Sequence, residues 1–394
     1  MKHSDDVVIV AAKRTALGRF LGQFQDVPAS ELCAQVIQNC VKTTQLDAHL
    51  IDEAFIGCVL PAGQGQAPAR QAVIKAGLPQ SVGATTVNKV CGSGMKSVML
   101  AYDAIVAQSS SIVLAGGMEN MSAAPYLMRK VRAGARIGHT SCDDHMFFDG
   151  LEDAYTGRLM GSFAEDTAQD MAFSRKMQDD FALSSLARAK QAITEGAFKE
   201  EIVPVQVKTR QGEVLYDTDE SPHYAKPEKI SQLKPAFAEQ GTLTAANSSS
   251  IADGASVLLL MSASSAQKHQ LTPLATLRAH ATYSTAPAQF TSAPVGAIEL
   301  LLSRTGWSLA DVDLFEINEA FAMVTMLAIE KLQLDEEKVN IFGGACALGH
   351  PIGCTGARIL VTLIHALKQK GLNKGIASLC IGGGEATAVA IEVE

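Results

Sequence analysis

The chain is notable first for what it lacks. It has no basic run and a net charge of −8 over its 394 residues, so nucleic acid and anionic membrane are not expected partners. No apolar stretch approaches the ~20 residues of a membrane span. Met1 to Asp6 is polar, and Val7-Val8-Ile9-Val10 is too short for the hydrophobic part of a signal peptide. The eight cysteines (Cys33, Cys40, Cys58, Cys91, Cys142, Cys346, Cys354 and Cys380) show no CxxC spacing. That argues against a disulfide framework and a zinc or other metal site, and it fits a reducing, cytoplasmic compartment. Neither GxGxxG after the first strand nor GxxxxGK[ST] occurs, which disfavours a nucleotide-binding module.

What is present is an ordinary globular composition, 47% hydrophobic and 19% charged, with length for roughly two or three domains. Val7 to Ala11 reads as a buried strand. A helix starts at Pro28-Ala29-Ser30-Glu31 and buries Cys33, Val36, Ile37, Cys40 and Val41. A second strand lies within Ile51 to Leu60, and Ser111 to Ala115 is another. Strands alternating with helices predict an α/β layer architecture. Residues 122–240 carry more charge and little strand signal. Ser174 reads as an N-cap and Gly196 as a helix stop, so this stretch is expected to be an inserted, largely helical lobe. The strand pattern returns at Ala255 to Met261.

The end of the chain repeats the order of its beginning. Cys91 sits in Asn88-Lys89-Val90-Cys91-Gly92-Ser93-Gly94, a glycine elbow that opens a helix through Met95, Val98, Met99, Tyr102, Ile105 and Val106. His350 sits in a second elbow, Gly349-His350-Pro351-Ile352-Gly353, before a helix through Ile359, Leu360, Leu363, Ile364 and Leu367. The strand after the first helix ends in Gly116-Gly117-Met118-Glu119, and the strand after the second in Gly382-Gly383-Gly384-Glu385. An internal duplication is the economical reading. It brings the two elbows to a common site at the carboxyl ends of the strands.

Cys91 and His350 form the minimal activated nucleophile, and the helix N-terminus is expected to favour the Cys91 thiolate. Cys380, beside three glycines whose N–H groups suit an oxyanion, is a second thiol. Two thiols with separate tasks imply two half-reactions, one holding an acyl group and one moving a proton. Taken singly, each residue has a plainer reading: Cys380 as core, Asn318 as a helix cap and His350 as a satisfied loop histidine. Cys346 and Cys354 read as packing residues, because nothing pairs them with a base.

The four loops around Cys91, Asn318-Glu319-Ala320-Phe321-Ala322, His350 and Cys380-Ile381-Gly382-Gly383-Gly384 resemble the signature loops of the thiolase family. The likeness runs from Val7 to the C-terminus and includes Glu119-Asn120-Met121-Ser122 and Gly241 to Asn247. It implies a five-layer α-β-α-β-α sandwich. One half would comprise residues 1–119 and 244–271 and the other 272–394, with 120–243 inserted over coenzyme A. It implies that Cys91 carries the acyl group, His350 activates it, and Cys380 moves the α-proton. Asn318 would hold a water that, with His350, stabilises the enolate oxygen, and the Cys91 and Gly382 N–H groups would form a second oxyanion hole. The family's coenzyme A contacts fall on Ser249, Leu151, Met160, Phe237, Ala245, Ala320 and Phe321.

The implied activity is acetyl-CoA C-acetyltransferase, acting on acetyl-CoA, acetoacetyl-CoA and CoA in fatty acid metabolism with no permanently bound cofactor. A degradative 3-ketoacyl-CoA thiolase of broader chain length is the alternative. Leu159-Met160-Gly161 stands where acetoacetyl-type members often have His-Met-Gly. The segment Ser221-Pro222-His223-Tyr224 lacks the arginine often found near the adenine end. A homodimer or homotetramer is implied, with Tyr126 to His145 matching the loop that pairs dimers.

Overall fold

Alternation along the first strand sets the architecture. In the computed structural model, which describes residues 6–210 and 212–394, β1 spans Val7–Thr15. Val7 and Ile9 enter one apolar core while Val8 and Val10 enter another, as successive side chains do in a strand covered on both faces. The chain continues through α1 (Ala29–Thr44), β2 (Glu53–Gly57), α2 (Pro68–Lys75), β3 (Gly83–Val87), α3 (Ser93–Val106) and β4 (Ile112–Asn120). The insertion contributes α4 (Met160–Asp170) and α5 (Arg175–Glu195). Then follow β5 (Ala252–Ser262), β6 (Ala275–Ser284), α6 (Ala293–Thr305), β7 (Leu314–Ile317), α7 (Ala322–Leu332), α8 (Thr355–Lys370), β8 (Lys374–Ile381) and β9 (Glu385–Glu392).

The strand order shows the duplication. In the first half it runs β3-β2-β4-β5-β1 and in the second β7-β8-β9-β6. The first half pairs β2 parallel with both β3 and β4, the second pairs β7 parallel with β8, and the remaining central strands of each ladder pair antiparallel. A single parallel bridge, Phe315 to Val339, stands where β3 lies in the first half. Three apolar cores separate the layers. One packs α1 and α2 on the first sheet, one holds α3 and α8 between the sheets, and one packs α6 on the second sheet. This is the five-layer α/β sandwich, with one feature unread in the sequence. Val7–Ile9 of β1 pair with Leu277–Ala275 of β6, so both halves share one eleven-stranded hydrogen-bonded sheet.

Backbone contact brings the two elbows together. A Cβ on Gly117 would lie 2.0 Å from the Gly353 carbonyl oxygen, and one on Gly57 would lie 2.7 Å from that same oxygen and from the Gly94 nitrogen. Only glycine permits this approach.

The insertion is helical as expected in its middle. Ser174 Oγ accepts from the Met177 N–H, and Gly196 ends α5 in the left-handed region. It also holds a hairpin, Val205–Thr209 against Gly212–Tyr216, which the charged sequence did not signal. A buried ion cluster ties the lobe to β1: Arg14 donates to Glu201 at 2.5 Å and to Asp219 at 2.7 and 3.0 Å. Among the described residues, no helix is long and apolar enough to cross a membrane.

Candidate active site

The Cys91 elbow is held by its own side chains. Asn88 Oδ1 accepts from the Val90 N–H at 2.9 Å, and Ser93 Oγ accepts from the Lys89 N–H at 2.8 Å while donating to the Val90 carbonyl at 2.7 Å. These bonds keep β-branched Val90 at φ +47°, a conformation such residues adopt only under constraint. The elbow presses on the end of β8, since a Cβ on Gly92 would meet Ile381 Cδ1 at 2.3 Å. The nucleophile candidate thus abuts the strand carrying Cys380 and Gly382.

Burial pushes the Cys91 thiol up to about 11, against hydrogen bonds from the Gly382 and Cys91 backbone N–H groups. The thiolate expected from the helix N-terminus is therefore not the resting form. A helix end contributes roughly 0.3–1 kcal/mol, less than desolvation of a buried anion costs. Cys380, at the end of β8 and 1% exposed, is held well above the usual thiol range by burial and by the neighbouring Cys91.

His350 is neutral for the same reason. Burial lowers it to about 3, and the positive charge of Arg358 adds to that. Its backbone N–H donates to Ser250 at 2.8 Å. Nδ1 lies 2.6 Å from Thr355 Oγ1, and that hydroxyl donates its one proton to the Pro351 carbonyl at 3.0 Å. Thr355 Oγ1 must then accept from Nδ1–H, which leaves Nε2 with its lone pair. Nε2 is buried and has no partner among the described residues.

Cys91, His350, Cys380 and Gly382 all line one cavity of about 900 Å³. Ser249, Leu151, Met160, Phe237, Ala245, Ala320 and Phe321 line it too. Asn318 does not. It is 1% exposed, its N–H donates to the Ser378 carbonyl, and both its side-chain polar atoms have no partner among the described residues.

Several wall residues escaped the sequence reading. Cys346, read as packing, is on the cavity wall. Its backbone N–H donates to the buried Glu319 at 3.0 Å, and that anchor turns the residue inward. Met121, Phe147, Leu159 and Ile352 add apolar wall. Arg19, Lys226 and Lys229 line the exposed rim, and the Arg19 guanidinium lies over the Tyr224 ring at 4.2 Å. The rim thus has cations although the Ser221–Tyr224 segment lacks an arginine. Nothing local marks these residues, because they come from a loop after β1 and from the insertion.

Comparison with known proteins agrees with this geometry. The chain matches "Thiolase, N-terminal domain" over residues 7–264 and "Thiolase, C-terminal domain" over residues 271–393. It is 48% identical over 387 residues to a "Probable acetyl-CoA acyltransferase" of Staphylococcus aureus (strain COL), covering 98% of each chain. It is 48% identical over 389 residues to an "Acetyl-CoA acetyltransferase" of Cupriavidus necator, covering 98% of this chain and 99% of that one. The crystal structure of the Bacillus anthracis acetyl-CoA acetyltransferase superposes with a TM-score of 0.96 at 41% identity, covering 99% of both chains. With two reactive elbows from duplicated halves meeting at one cavity, and family matches spanning nearly its whole length, this chain belongs to the thiolase family of acyltransferases.

Proposed function

We propose that this enzyme is an acetyl-CoA C-acetyltransferase, condensing two acetyl-CoA reversibly to acetoacetyl-CoA and CoA through an acyl-Cys91 intermediate. The observation that carries the reading is the meeting of two protonated thiols and a neutral imidazole with a free Nε2 on one cavity. Cys91 passes its proton to His350 Nε2 as its sulfur attacks the thioester carbon. The resulting oxyanion is stabilised by the Cys91 and Gly382 N–H groups. The C–S bond to CoA breaks, and the departing sulfur takes the Cys380 proton, which leaves Cys380 as a base. A second acetyl-CoA then loses its α-proton to Cys380. The enolate carbon attacks acetyl-Cys91, and the released Cys91 sulfur recovers its proton from His350. All groups end as they began, so protons and electrons balance. His350 and a water held by Asn318 stabilise the enolate oxygen; the two unpartnered amide atoms of Asn318 support its holding that water. The rim cations support a phosphate-bearing coenzyme, and the apolar wall supports its pantetheine arm.

The test is mass spectrometry of the protein incubated with acetyl-CoA. An acetyl group on Cys91 is expected, and its absence would overturn the reading. Cys380→Ser is expected to acetylate and to stop condensing. Leu159 together with Met121, Phe147 and Ile352 favours the second reading, a 3-ketoacyl-CoA thiolase of broader chain length. A chain-length series in thiolysis separates the two: kcat/KM falling beyond four carbons supports the first, and a flat series the second. Association into dimers or tetramers is part of the proposal. The Tyr126–Leu127 strand pairs with Asp143–Asp144, and Tyr126, Met128, Val131 and Ile137 are exposed in that loop. Light scattering on the eluted protein reads the state directly. Eight free thiols support a cytoplasmic setting, and the substrate class supports a role in fatty acid metabolism.

A further inference from the structure

The halves share one short pattern whose glutamates the chemistry above does not use. Gly116-Gly117-Met118-Glu119 ends β4, and Gly382-Gly383-Gly384-Glu385 follows β8. Both read Gly-Gly-x-Glu at topologically equivalent places. Each glutamate reaches the opposite half. Glu119 is fully buried and accepts from the N–H of Val59 at 2.9 Å, Leu60 at 3.2 Å and Gly353 at 2.9 Å, and from Cys58 Sγ at 3.5 Å. Gly353 is in the His350 elbow, 234 residues away. Glu385 accepts from Lys89 Nζ at 2.5 Å and from Ser284 Oγ at 3.0 Å. Lys89 is in the Cys91 elbow, 296 residues away, and its own N–H is bonded to Ser93 Oγ at the start of α3.

We propose that these two glutamates are crossed latches: Glu119 of the first half positions the His350 elbow, and Glu385 of the second half positions the Cys91 elbow. Neither lines the cavity, so each acts through the elbow it holds. The physical need is plain. Cys91 and His350 sit on separate halves, and proton transfer between them demands a set separation within a few tenths of an ångström. A packed apolar interface between α3 and α8 fixes layers, whereas directed charge-assisted bonds fix loops. Three N–H groups converging on the Glu119 carboxylate hold the second-half elbow against the loop after β2. The Gly353 Cα has no room for a side chain, since a Cβ there would meet Glu119 Oε2 at 2.5 Å. The Lys89–Glu385 pair does the same for the first elbow from outside the core.

The inference rests on the proposed roles of Cys91 and His350. The experiment measures single-turnover acetylation of Cys91 and the KM for acetyl-CoA in the full-length protein and in Lys89→Met, Glu385→Gln, the double variant and Glu119→Gln. Lys89→Met and Glu385→Gln are each expected to slow acetylation about tenfold, with KM within twofold and the melting temperature nearly unchanged. The double variant should be no slower than the slower single variant, because both break one latch. Single variants within twofold of the wild type, or effects that multiply in the double variant, overturn the proposal. Glu119→Gln, which keeps the shape and loses the charge, should slow acetylation at least as much. If it fails to fold, the partly buried Lys89–Glu385 arm still decides. A wild-type protein that forms no acetyl adduct overturns the proposed function instead, and iodoacetamide alkylation of Cys91 then reads the latch.

Discussion

Replacing Thr355 by valine isolates the tautomer of His350. The side chain is fully buried at the first turn of α8, and valine matches its shape, so the perturbation is the loss of one oxygen. That oxygen accepts from His350 Nδ1–H at 2.6 Å and donates to the Pro351 carbonyl. Without it the Nδ1–H is left buried and unpaired, a penalty of ~1–3 kcal/mol. The imidazole relieves it by moving its proton to Nε2, the atom proposed to receive the Cys91 proton. If the productive tautomer rises by that amount, acylation slows by a factor of ~5–150, at about 1.4 kcal/mol per decade. Stopped-flow detection of CoA release in a single turnover reads the step directly. KM for acetyl-CoA should change little, and Thr355→Ser, which keeps the oxygen, should restore most of the rate. A Thr355→Val enzyme acylating within twofold of the wild type would refute the tautomer argument.

Three further outcomes follow from the same interior. Glu316 is raised by burial to about 8, so the native state keeps a proton that the unfolded chain has released. Stability should therefore fall as pH rises through that value, by about 1–2 kcal/mol between roughly pH 6.5 and 8.5. The opposing term from His350, lowered to about 3, is mostly complete at the lower end of that range and offsets only about 0.4 kcal/mol of the fall. Urea melts at both pH values check this, and stability that holds or rises counts against it. Lys226→Ala and Lys229→Ala should raise KM for acetyl-CoA several-fold while leaving kcat unchanged, and should weaken the salt dependence of KM. A KM that does not respond to either change removes the rim cations from coenzyme binding. Gly117→Ala places a methyl group 2.0 Å from the Gly353 carbonyl oxygen, backbone against backbone, so it should destabilise by at least ~1–3 kcal/mol and separate the elbows. An active Gly117→Ala enzyme with a wild-type melting temperature would contradict the tight packing.

The sequence alone determined whatever rests on near neighbours in the chain. Near-continuous apolar runs at Val7–Val10 and Ala255–Met261 marked buried strands. Ser174 and Gly196 marked both ends of α5, and Cys91, His350 and Cys380 stood out because each adjoins glycines at an element boundary. The repeated order of those elements made the duplication legible, and the four loops made the family legible. Tertiary structure decided the rest. The protonation of Cys91 and His350 follows from how much water the folded walls exclude, which overrode the helix-end effect read locally. Cys346 faces the cavity because buried Glu319 anchors its backbone. The rim cations gather from separate segments, and Glu119 and Glu385 find elbows more than two hundred residues away. The physical reason is the same throughout: desolvation and directed bonds between distant segments are properties of the packed interior, and a linear pattern encodes only the segments that build it.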